Sequence, residues 1–76
     1  MLELLDYIVK GIVKNKDAVN IAEKQDGKVK VLTVTVDKAD IGAIIGKSGN
    51  TAQAIRTVVK SMSSKERVVI KFNSND

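Results

Sequence analysis

The chain has no cysteine and no histidine among its 76 residues. Disulfides, thiolate metal sites and a cysteine nucleophile are thereby excluded, as are the commonest general base and the usual zinc ligands. Tryptophan is absent too, and Tyr7 and Phe72 are the only aromatic residues. So few rings argue against RNA recognition through an aromatic stacking platform. No uninterrupted apolar run approaches the ~18 residues of a membrane span. The chain opens Met1-Leu2-Glu3 rather than with a basic signal stretch, so an intracellular, soluble protein is the expectation.

Hydrophobic residues make up 43% and charged residues 29%, the balance of a globular domain rather than a disordered tail. A chain this short can build one thin core, hence one domain. The net charge of +4 is unevenly spread. Residues 1–37 hold six lysines and six acids, which cancel, whereas residues 38–72 hold seven basic residues against Asp40 and Glu66. A basic C-terminal half suits phosphate binding, and a lysine-rich solvated surface explains the same excess.

Leu2, Leu5, Ile8, Val9, Ile12 and Val13 repeat at helical spacing over residues 2–14. A weak strand over 18–25 then meets Asp26-Gly27, a hairpin turn signal. Val29 to Val36 is the strongest strand, with Leu32, Val34 and Val36 on one face and Val29, Val31, Thr33 and Thr35 on the other. From Asp37 the period returns to helical. Ile41, Ile44 and Ile45 form a short apolar edge that Gly46 stops. A second helix starts at Gly49-Asn50-Thr51 and carries Ala52, Ile55, Val58, Val59 and Met62, with Ser61, Ser63 and Ser64 loosening its end. Val68, Ile70 and Phe72 alternate as a last strand, and residues 73–76 are expected to fray. The order is α-β-β-α-α-β. The long helical crossover favours a parallel strand pair, with the hairpin adding an antiparallel edge.

One segment carries chemistry: Ile44-Ile45-Gly46-Lys47-Ser48-Gly49. A Walker phosphate loop needs four residues between its glycines, and only three separate Gly42 from Gly46, so that reading fails. A glycine-x-x-glycine turn between two helices fits. Gly46 and Gly49 lack Cβ atoms, so a sugar-phosphate backbone can approach the main chain closely. Gly49 stands where the next helix begins, which aims free N–H groups and the helix dipole at a phosphate. Lys47 adds a positive charge at the tip, and Ser48 a hydroxyl. Such a turn is by itself more often a cap than a site. Without histidine or cysteine, Asp37 with Asp40 is the only acid/base pair available to an enzyme, and helix N-terminal acids account for both better.

The segment IIGKSGNTAQAI resembles the core of a KH domain, whose loop clamps about four nucleotides of single-stranded nucleic acid. With a helix and a strand placed before that core, the chain resembles the type II, bacterial arrangement. In size and in the continuation Ala54-Ile55-Arg56-Thr57-Val58-Val59-Lys60 it is similar to the small stand-alone KH proteins of the KhpA type. Many KH domains have a branched apolar residue where this chain has Ala52. The resemblance implies an α+β fold over residues 1–72, with a three-stranded mixed sheet packed on one side by helices. It implies RNA contacts from Ile41, Ile44, Ile45, Gly46, Lys47, Ser48, Gly49, Asn50 and Arg56, with no metal and no cofactor. Ile44 and Ile45 are consecutive and cannot both face the groove, so one of them is core. It further implies a cytoplasmic RNA chaperone or post-transcriptional regulator. Its partners would be single-stranded RNA and either a second copy or a larger KH-containing protein of the Jag type, with a link to cell-wall growth and cell shape. A protein-interaction adaptor with little RNA binding of its own is the alternative.

Overall fold

The computed structural model describes residues 2–62 and 66–75. Helix α1 spans Leu2–Ile12, strand β1 Asn20–Asp26, strand β2 Val29–Asp37, helix α2 Ile41–Ile45, helix α3 Asn50–Ser61 and strand β3 Arg67–Asn75. Short 3-10 turns lie at Lys16–Ala18 and Lys47–Gly49. The order is the α-β-β-α-α-β read from the sequence. Ser63 and Ser64, expected to loosen α3, lie outside the described residues.

The sheet order is β1-β2-β3, with β1 antiparallel and β3 parallel to β2. Asp26 pairs with Val29, so Gly27-Lys28 is the two-residue turn, and Gly27 supplies the positive φ of 62° that its first central position needs. The helical crossover from β2 to β3 produces the parallel pair, as chain connectivity requires. Residues 73–75 do not fray. Asn73, Ser74 and Asn75 pair with Thr35, Val36 and Asp37, which prolongs β3 past Phe72. Backbone pairing needs no apolar alternation, so a polar Asn-Ser-Asn run can complete a ladder.

All three helices cover one face of the sheet. Leu5, Val9 and Val13 meet Leu32, Val34 and Val36 of β2, Val68 and Ile70 of β3, and Ile44, Ile55 and Val59 of the later helices. On the opposite face Val29, Val31, Thr33 and Thr35 are half-buried, and none of the helices among the described residues packs its core residues there. The accessible surface, 5119 Å², exceeds the ~4,500 Å² expected for this mass, as an open sheet face would produce. Val58 and Met62 do not join the core as their spacing suggested; they are 46% and 68% exposed. Lys30 lies toward the core side and bridges Glu23 at 3.8 Å and Glu66 at 3.2 Å, tying β1 to the entry of β3. No helix among the described residues is long and apolar enough to cross a membrane.

Candidate nucleic-acid interface

Helix α2 is five residues long and is anchored at both ends. At its start the Asp40 carbonyl accepts the N–H groups of Ala43 and Ile44, at 3.1 and 3.2 Å. The Asp40 side chain is only 5% exposed. Asp40 stands at the N-cap position of α2, the helix start read from the sequence, but its side chain makes no capping hydrogen bond there. Its two oxygens accept the backbone N–H groups of Lys14 (3.1 Å) and Asn15 (3.0 Å), so it holds the end of α1 instead. The two N–H groups just past the end of α1 are thereby satisfied outside the helix. Beside it, Asp37 accepts the Ala39 N–H at 2.9 Å and the Asn15 side-chain amide at 2.8 Å. These bonds, the Ala39 N–H first, hold the Asp37 carboxyl below its ordinary pKa, opposed by a little desolvation.

At the other end of α2, the Gly46 N–H donates to the Gly42 carbonyl at 2.9 Å and the chain turns sharply. Gly46 has φ 75° and ψ 177°, a region open essentially to glycine alone. Ser48 follows at φ 56°, ψ 26°, and Gly49 at φ 76°, ψ 10°, both left-handed. Three positive φ angles within four residues reverse the chain between α2 and α3. The loop lifts Lys47 and Ser48 into solvent, and both are exposed. Among the described residues Lys47 forms no ion pair.

The loop uses some of the donors expected to face a ligand. The Gly49 N–H closes onto the Gly46 carbonyl at 3.3 Å, and the Asn50 N–H onto the Lys47 carbonyl. No side chain caps α3, however, so the positive end of its dipole stays uncovered beside Lys47. An anion at the tip would meet that dipole and the lysine charge together.

The isoleucines separate cleanly. Ile44 is fully buried and belongs to the core, so it cannot contact RNA as the resemblance implied. Ile45 is 37% exposed and Ile41 half-buried, so these two are the apolar groups that α2 offers next to the loop. Asn50 is exposed at the start of α3. Arg56 is not a freely solvated side chain. Its Nε–H donates to the Ile70 carbonyl at 3.2 Å, and its guanidinium lies 5.2 Å from the Phe72 ring centre. Arg56 thus lies on the helix that follows the loop, against edge strand β3. Phe72, Gln53 and Thr51 are neighbours of the site that sequence reasoning missed. Only Gln53, three residues before Arg56 on a helix, left a readable signal.

The family model for the KH domain of KhpA and KhpB matches residues 2–73. The chain belongs to that family. A relative from Chlamydia trachomatis serovar D, named RNA-binding protein KhpA, is 43% identical over 70 residues, covering 92% of this chain and 90% of its own. One of the same name from Streptomyces coelicolor is 47% identical over 57 residues, or 75% of this chain and 72% of its own. A third of that name, from Caldanaerobacter subterraneus, is 41% identical over 74 residues, or 95% of this chain and 99% of its own. No solved structure matches the chain.

Proposed function

We propose that this KH domain binds single-stranded RNA and acts as a binding module, not an enzyme. The observation that carries the reading is the Gly46–Gly49 loop: its tip, Lys47 and Ser48, is exposed, Lys47 forms no ion pair among the described residues, and the loop is set against a helix start that no side chain caps. The names of the relatives support RNA as the ligand. In this mechanism the loop main chain and Lys47 hold the sugar-phosphate backbone. Ile41 and Ile45 on α2 give apolar contact to bases, and Asn50 adds a polar group at the helix start. Asp37 and Asp40 hold the chain together and take no part in acid/base chemistry.

Replacing Lys47 and Ser48 together by Asp tests the reading. Both side chains are exposed, and aspartate tolerates the left-handed region better than most residues, so stability should change by less than about 1 kcal/mol. At the tip, one positive charge is replaced by two negative ones, and repulsion meets the incoming phosphate. Thermal melting should stay near wild type while titration of an unstructured RNA goes flat. A folded double variant that still binds would place the RNA elsewhere.

The finer role we infer is that of a cytoplasmic RNA chaperone or post-transcriptional regulator, linked through its family likeness to cell-wall growth and cell shape. Tyr7, Val58 and Met62, 79%, 46% and 68% exposed, favour a second element of the reading. We infer association with another copy or with a larger KH-containing protein of the Jag type, which would cover these exposed apolar side chains if they form one patch. Two linked loops would gain affinity through effective concentration. The adaptor alternative separates at the same experiment: normal assembly by both wild type and the acidic-loop variant, with RNA bound by neither, would favour it.

A further inference from the structure

Arg56, one of the residues from which the family resemblance implies RNA contact, is already engaged within the fold. Its Nε–H is given to the Ile70 carbonyl at 3.2 Å, Nη1 stands 3.4 Å from Gln53 Oε1, and the guanidinium carbon sits 5.2 Å from the centre of the Phe72 ring. Arg56 and Phe72 are both half-buried. An arginine that grips a phosphate does so with two parallel N–H bonds from one edge of its fork. Here Nε–H is engaged by strand β3 and one Nη1–H is drawn toward Gln53, so an anion would be left only the Nη2 hydrogens and the second one on Nη1. Phe72 backs one side of the group, and the side chain is still partly open to solvent.

Arg56 follows Gly49 by seven residues, two turns or about 10 Å along α3, within the reach of a strand of about four nucleotides anchored at the loop. Guanidinium planes are surfaces on which splayed RNA bases stack, and a fixed plane loses less freedom on binding than a mobile one. We propose that Arg56, braced by Phe72, Ile70 and Gln53, is a stacking shelf that receives the flat face of an unpaired base, and is not a phosphate clamp. The proposal rests on the single-stranded RNA reading above and specifies how that site takes a base. A chain with two aromatic residues then has a stacking surface after all, made of an arginine laid on one of them. Because every base has a π-face, the shelf should accept all four bases with little preference.

The test uses the full chain and single-stranded RNA oligomers with 2-aminopurine placed at each position in turn. Wild type should quench the fluorescence at one position, and removing the base there should weaken binding about tenfold. Arg56→Lys keeps the charge and loses the plane. It should abolish that quench and lose about the same tenfold, with no further loss on the abasic oligomer and an unchanged slope of affinity against salt. Unaltered binding by Arg56→Lys, or a shallower salt slope for Arg56→Gln, would make Arg56 a charge contact and overturn the shelf. Melting of the variants is followed alongside, and should they unfold, the quench and the abasic loss in wild type decide alone. RNA binding by wild type with no quench at any position refutes the shelf only. A wild type that binds no RNA refutes the RNA reading, and the shelf falls with it.

Discussion

A Cβ placed on Gly46 would run into Thr51, meeting its Cβ at 2.6 Å and its amide nitrogen at 2.9 Å, whereas a Cβ on Gly49 meets nothing within 4 Å. The two glycines therefore do different work. Gly46 combines a backbone conformation reserved for glycine with a steric contact that another backbone enforces. Gly49 is left-handed only, and its open side is what a sugar-phosphate strand would use. Gly46→Ala should cost about 3 kcal/mol, strain and overlap together, and Gly49→Ala about 1 kcal/mol from the left-handed backbone alone. Denaturant unfolding of the two variants checks this, and equal losses would show that Thr51 yields to the new methyl group. The motif itself was legible, because spacing alone identifies a turn between helices. Which glycine the fold requires was not, since Thr51 reaches Gly46 only once α2 and α3 have taken their angle. The same limit separates Ile44 from Ile45: adjacency says that one is buried, and only packing says which.

Helix α2 owes its placement to the loop after α1 as much as to its own sequence. Asp40 accepts two backbone N–H groups from residues 25 and 26 positions earlier, and it does so while buried. Those charge-assisted bonds offset the cost of taking a carboxylate out of water. Asp40→Ala leaves both donors without their partner and should cost about 2–3 kcal/mol, measurable as a fall in melting temperature. Loss of less than half that would mean water replaces the carboxylate easily. Sequence reading placed Asp40 at a helix start through the dipole; partners so distant along the chain leave no periodic trace. Neighbouring Asp37 carries a pH consequence. Its folded pKa lies below the unfolded value, chiefly through the Ala39 N–H and then the Asn15 amide. Such a group stabilises the fold above its unfolded pKa of about 3.9, and that contribution is lost as pH falls through the lower folded value. Asp37→Asn cannot titrate, so its stability should fall less steeply with acid below about pH 4 than wild type. Acid titration of the two melting curves reads the difference directly, and parallel curves would show that Asp37 is not among the groups linked to acid unfolding.

At the scale of the whole molecule, charge and topology were the most legible features, because both follow from counts and connections that need no packing detail. Element order, the mixed sheet and the basic second half all stand in the sequence, whereas the extension of β3 to Asn75 required the partner strand. Among the described residues, the basic side chains of that half do not all gather at the loop. Arg56 is held against Phe72 and Ile70, while Arg67, Val69 and Lys71 alternate on β3 away from the buried Val68 and Ile70. Lys47 is thus left as the only cation of the loop itself. RNA binding should accordingly be weak for one chain, in the range of about 10⁻⁴ to 10⁻⁶ M, with few phosphates neutralised. The salt dependence should be shallow, and Lys47→Gln should reduce the slope by about 0.7, the share of one phosphate on a single strand. The measurement is a set of RNA titrations over a range of salt concentrations for wild type and variant. A slope that does not change on losing Lys47 would mean that the main chain and the helix dipole hold the phosphate unaided. A steep wild-type slope would mean that two or more chains bind one strand together, since a single loop with one lysine has too little charge to release that many counterions.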